Sequence, residues 1–119
     1  MEEHTALKLG LAQFTGTEHY FPHAISRMKY TDGVQFFAEN AGGGAYWFLD
    51  IVGTELMEIH ATEPFVSIKL LAINSQADIA ATDGNDTQLF HRHIEFTDCP
   101  DGEWTFYLID GILLLTGEY

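Results

Sequence analysis

Two spacings of apolar residues divide the chain near its middle. In the second half, short apolar runs rich in β-branched and aromatic residues are separated by turn residues, which predicts consecutive strands. They are "FVSIKLLAI" (65–73), "ADIAATD" (77–83), "QLFHRHIEF" (88–96), "EWTFYLI" (103–109) and "ILLLT" (112–116). The breaks between them read "NSQ", "GND", "DCPDG" and Asp110-Gly111. The last is a two-residue hairpin signal, because both turn positions take positive φ. Connections this short imply antiparallel neighbours.

The first half carries helical spacing instead. Leu7, Leu11 and Phe14 line one face of a short helix over 4–14. Gly16 and Pro22 punctuate the stretch after it, with short extended segments at 18–22 and 27–31. "YTDGVQFF" starts a second helix over 33–40, Asp32 capping and Gln35 standing three residues on, as in a capping box. Gly42, Gly43 and Gly44 end it. A third helix over 45–57 places Tyr46, Leu49, Gly53 and Leu56 in one row, widened by Trp47, Phe48, Ile51 and Val52. A helix apolar nearly all round is a buried one. The aromatic content is core packing on this reading, not a cofactor pocket. The pattern predicts an α+β fold: N-terminal helices packed on one face of a mainly antiparallel sheet, the sheet a C-terminal meander of about five strands.

At 119 residues the chain is one domain, long enough for folding to bury roughly 65% of its surface. No apolar window approaches the ~20 residues that span a bilayer. The acidic start "MEEH" is unlike a secretory leader, and Cys99 is the single cysteine. A soluble, cytoplasmic protein without a disulfide framework is expected.

Charge changes the picture more than size does. Eighteen Asp and Glu face five Lys and Arg, a formal net charge of -13. The five bases are scattered, at Lys8, Arg27, Lys29, Lys69 and Arg92. Direct nucleic-acid binding and attraction to anionic membrane are therefore disfavoured, whereas a protein partner with a basic surface fits. If alternate loops of a meander share an end of the sheet, Asp83, Asp86 and Asp110 gather at one end. Asp98, Asp101 and Glu103 gather at the other, near Asp78. Two acidic rims are predicted as the partner-binding residues, and a rim of this kind can imitate the phosphates of DNA.

Little else reads as chemistry. G-x-S-x-G, H-E-x-x-H, P-loop and G-x-G-x-x-G motifs are absent, and no cofactor is called for. "TDGNDTQ" has its glycine in the wrong place for a calcium loop and reads as a turn. Cys99 lies among carboxylates that favour the neutral thiol. "LFHRHIEF" alone invites a metal site. In a strand, Phe90, Arg92, Ile94 and Phe96 share the core face, and Leu89, His91, His93 and Glu95 share the other. His91 and His93 could both reach one metal ion, but zinc needs a third ligand at least. Glu95, Cys99, His19 and His23 are the candidates, and none has a spacing that forces proximity. The pair reads as the solvated face of a strand.

Three stretches together resemble a family of small uncharacterised proteins of bacteria and their mobile elements, known only as a domain of unknown function. They are "LAQFTGTEHY" (11–20), "YTDGVQFFAENAGGGAYWFLDI" (30–51), and the chain's end from "FHRHIEFTD" through "LIDGILLLTGEY". The resemblance supplies no catalytic residue. It implies an association with mobile DNA and hence a host-directed or defence-directed role. The leading expectation is a non-enzymatic acidic interaction protein, in its sharper form an inhibitor occupying a nucleic-acid-binding groove. The alternatives are a metal-dependent enzyme or small-ligand binder using His91 and His93, and self-association through an exposed edge strand, "ILLLT".

Overall fold

The computed structural model describes residues 3–119. Met1 and Glu2, on which part of the expectation about a secretory leader rests, lie outside the described residues. Helix α1 (Glu3–Leu11) leads to a hairpin of β1 (Tyr20–Pro22) and β2 (Lys29–Thr31), and then to α2 (Asp32–Asn40). Helix α3 (Tyr46–Ile51) runs on through a π-helical segment, Val52–Leu56, into a last α-helical turn, Met57–His60. Strands β3 (Phe65–Ile73), β4 (Gln76–Thr82), β5 (Gln88–Ile94), β6 (Gly102–Ile109) and β7 (Ile112–Leu115) come next, and a 3₁₀ turn closes the chain at Thr116–Glu118. Among the described residues no helix is long and apolar enough to cross a membrane.

Alternation along the strands sets the layers. On β3, Val66, Ile68, Leu70 and Ala72 are at most 1% exposed, while Lys69, Leu71 and Ile73 between them are open. Ala77, Ile79 and Ala81 on β4, and Trp104, Phe106 and Leu108 on β6, continue the buried face. Helix residues close over it: Phe37 and Phe48 set their rings 5.1 and 4.9 Å from that of Phe106. Each such side chain contributes about 1.5–3 kcal/mol by leaving water.

All seven strands form one mixed sheet in the order β1-β2-β7-β6-β3-β4-β5. This corrects the expected meander. β3, β4 and β5 are joined by hairpins, but β6 returns to pair with β3, leaving β5 at the edge. Four strands in the spatial order 6-3-4-5 are a Greek key. The composition of the strands explains the choice. β6 carries Trp104, Phe106 and Leu108, which need the sheet centre beneath the helices, whereas β5 carries Arg92, His91 and His93, which tolerate an edge. β7 is not an edge either. It lies between β6 and a parallel β2 that pairs with Ile112 and Leu113, so the "ILLLT" segment is not an edge strand.

Two tight turns bear out their sequence signals. Asp110 and Gly111 have φ of 53° and 74°, and Asn74 and Ser75, closing the β3–β4 hairpin, have 53° and 65°. The start of α2 shifts by one residue from the expected cap. Thr31, still extended at the end of β2, is the N-cap, and its Oγ1 accepts from Val34 N at 3.2 Å. Gln35 is not the partner at this cap; that role falls to Glu118, a carboxylate from the far end of the chain that accepts from Thr31 Oγ1.

Candidate interaction surface

The six acids predicted to meet a partner are all at connections or strand ends. Asp83 closes the β4–β5 loop, its Oδ1 accepting from Asn85 N at 2.8 Å and Thr87 N at 3.3 Å. Those backbone donors, Asn85 first, hold its carboxyl below the usual range, so it stays charged. Asp86 and Asp110 sit in turns at φ of 71° and 53°. Both turns are at the same end of the sheet. The strand order, however, puts them three strand spacings apart, roughly 14 Å at ~4.8 Å per strand. That exceeds the ~8 Å screening length of physiological salt, so the structure gives two acidic points on one edge rather than a single cluster.

At the opposite end, the 95–101 crossover is built on its own acids. Asp98 Oδ2 accepts from Gly43 N at 2.7 Å, and Asp101 Oδ1 accepts from Asn74 N at 3.0 Å. Glu103 pairs with Lys69 at 3.1 Å. Asp78 lies in the same register row as Glu103, the two flanking Leu71 from either side. Sequence reasoning placed these residues together at one end but missed that three of them also serve the fold.

His91 and His93 are exposed on the sheet face away from the helices. Both donate to one oxygen, Asp78 Oδ1, His91 through Nε2 at 3.1 Å and His93 through Nδ1 at 3.0 Å. Asp78 stands opposite His93 in the β4–β5 register, which was not readable before the strands were paired. Among the described residues no group of three or more His, Cys, Asp or Glu side chains is disposed to hold a metal ion. His93 first, then His91, holds the Asp78 carboxyl below its ordinary 3.8. A depressed carboxyl contributes stability above the unfolded value and loses it as pH falls through the folded one. The Asp78→Asn variant should therefore be less stable than wild type near neutrality, by under about 1 kcal/mol at so exposed a site. Thermal unfolding should show the two converging as pH is taken below 3.8.

His23 is not near this pair. It is 7% exposed, and its Nδ1 lies 2.6 Å from Ser26 Oγ while Nε2 lies 2.8 Å from Asp50 Oδ1. The residue types are those of a nucleophile relay, and no sequence spacing signalled them. Met28 N–H also donates to Ser26 Oγ, at 3.2 Å. The ring and hydroxyl press on the π-helical segment so closely that a Cβ on Gly53 would come within 2.6 Å of His23 Nδ1. This packing ties the β1–β2 hairpin to the helix.

Cys99 is buried at the crossover, and burial, with Asp98 and Asp101 adding to it, pushes its thiol up to about 12. Iodoacetamide at pH 8 is expected to leave the native protein unlabelled and to modify Cys99 only once urea unfolds it; labelling at equal rates in both states would contradict the burial.

The remaining feature is the β5 edge. β5 offers seven residues with a partner strand on one side only, and the other edge, β1, is three residues long and ends in Pro22. Beyond β5, Phe96 is 78% exposed, which corrects its placement on a core face: pairing with β4 ends at Ile94. A cleft of about 560 Å³ runs between α3 and this end of β5, lined by Trp47, Ile51, Ile94 and Phe96 and by the acids Asp50 and Asp98. Arg92, also in its wall, is already ion-paired with Glu55 of the π-helical segment.

Residues 5–119 match a family of unknown function, DUF6876. The chain belongs to that family. No curated protein and no solved structure matches it. In this DUF6876 chain the three stretches that carry the resemblance meet at one carboxylate. Glu118 Oε1 accepts from Thr31 Oγ1 at 2.6 Å and Leu115 N at 2.9 Å. Its Oε2 accepts from Gly33 N at 3.3 Å and Thr17 Oγ1 at 3.4 Å. The "TGTEHY", "YTDG" and "LTGEY" segments are thus parts of one latch at the N-terminus of α2, where a negative charge is favoured.

Proposed function

We propose that this member of DUF6876 is a non-enzymatic, acidic interaction protein that binds a basic surface on a protein partner. In its sharper form it is a mobile-element-associated inhibitor that occupies the nucleic-acid-binding groove of a host or defence protein. The uncompensated charge carries the reading. Among the described residues the Lys and Arg ion pairs are Lys69–Glu103 between strands and Arg92–Glu55 between β5 and the π-helical segment, so the few bases are partly spent within the fold. Asp83, Asp86, Asp98, Asp101 and Asp110 lie at the sheet ends outside those pairs. A basic partner relieves that self-repulsion, and the opposite potentials speed encounter.

The test is capture from host lysate by the tagged protein at low and moderate salt, with competition by duplex DNA. A salt-sensitive nucleic-acid-binding protein, released by DNA, is expected. A partner that ignores both salt and DNA would sink the sharper form.

A further inference from the structure

Deepening that reading, and resting on it, we propose that β5 is the docking edge: a basic, extended segment of the partner adds to the sheet beside β5 as an eighth strand and sets an apolar side chain into the Trp47–Phe96 cleft. Strand addition draws its affinity from main-chain hydrogen bonds and its selectivity from the pockets for alternate side chains. The edge supplies the first. Along its seven residues the backbone groups of alternate residues face outward with no partner strand, and no proline interrupts them, unlike the three-residue edge at β1. The cleft supplies the second, with Phe96 left 78% exposed at the strand's end.

Charge selects the occupant. Asp50, Glu95 and Asp98 surround the cleft and the end of β5, all exposed. The nearest base, Arg92, is held by Glu55, and His91 and His93 are held by Asp78. Asp50 is engaged by His23 at 2.8 Å, so a lysine- or arginine-bearing strand meets Glu95 and Asp98, which among the described residues have no basic side chain paired with them, along its path. A second copy of this chain is a poor occupant, because each brings a net charge of -13 and the same acids to the same edge. A nucleic acid is repelled for the same reason.

The probe is a synthetic seven-residue peptide of alternating lysine and valine, together with a version in which every backbone amide is N-methylated. The two carry the same charge and side chains, but only the first has donors for a strand. Calorimetry and backbone amide exchange by NMR are read on the full chain. The plain peptide is expected to bind, to slow exchange of the outward amides of residues 88–94, and to lose at least tenfold in affinity on N-methylation. Phe96→Ala, a change at an exposed side chain, should weaken it several-fold with the fold intact. Equal affinity for the two peptides overturns strand addition and leaves the acidic-interaction reading standing. So does protection confined to the Asp83, Asp86 and Asp110 end. If neither peptide binds, the acidic-interaction reading fails and this inference with it. A dimer formed through β5 without peptide, seen by sedimentation, would replace the basic segment with a second copy and overturn the assignment.

Discussion

Replacing Glu118 with alanine is expected to lower stability by about 2–4 kcal/mol, read as a fall in the urea midpoint with an unchanged slope. The carboxylate answers four donors from three distant parts of the chain. Two of them, Gly33 N and Leu115 N, are backbone groups that have no other described acceptor once it is gone. Thr31 Oγ1 loses the acceptor that orients it to receive Val34 N, so the α2 cap weakens as well. A Cβ added at Gly33 would come 2.7 Å from Glu118 Oε1, which shows how tightly the latch closes on the helix start. Glu118→Gln should fall between, since one amide oxygen remains to accept while the amide nitrogen faces donors. A loss below about 0.5 kcal/mol in Glu118→Ala, the size of an ordinary surface change, would contradict the latch.

Gly42→Ala is expected to have an effect of the same size, about 2–4 kcal/mol, for a steric reason. Gly42 has φ of +61°, where a side chain is strained by roughly 1–2 kcal/mol. A Cβ there would also fall 2.3 Å from the carbonyl oxygen of Asp98 and 2.6 Å from its Oδ1. The crossover cannot slide away without breaking bonds. Gly43 N holds Asp98 at 2.7 Å, and Thr97 N holds Ser75 O at 2.8 Å. Overpacking of this kind adds roughly 1–3 kcal/mol. The matched control is Gly16→Ala, where nothing lies within 4 Å of the added carbon and the change should stay within about 0.5 kcal/mol. If both substitutions behave alike, the crossover is not docked on the α2–α3 connection.

These two sites also show where local sequence pattern stops being informative. The five C-terminal strands were legible because each is a short apolar run between turn residues, and local alternation decides which side chains are buried. Their order was not. Whether β6 lies beside β5 or β3 depends on which strand the helices must cover, a comparison between Phe106 and Arg92 that no local window makes. The triple glycine was readable as a helix stop, but not as the seat of Asp98, 55 residues away. Thr31 lost its cap role to Asp32 in the sequence reading because Glu118, which orients the threonine, is 87 residues distant. His23 was named only as a candidate metal ligand, and its contact with Asp50, 27 residues on, lay beyond a local window for the same reason. The histidine pair was legible as a solvated strand face because alternation is local, while its partner Asp78 needed the β4–β5 register.

The central claim is that unneutralised acids at the sheet ends drive association with a basic protein. Its most direct test compares association kinetics of the captured partner with wild type and with a triple Asp83→Asn, Asp86→Asn, Asp110→Asn variant, at low and moderate salt. Asparagine keeps the turn geometry, since it tolerates positive φ and still offers an acceptor, so only charge is removed. The account predicts a slower association rate in the variant, a weaker dependence on salt, and a dissociation rate that changes little. Equal association rates for the two proteins at both salt concentrations would contradict it.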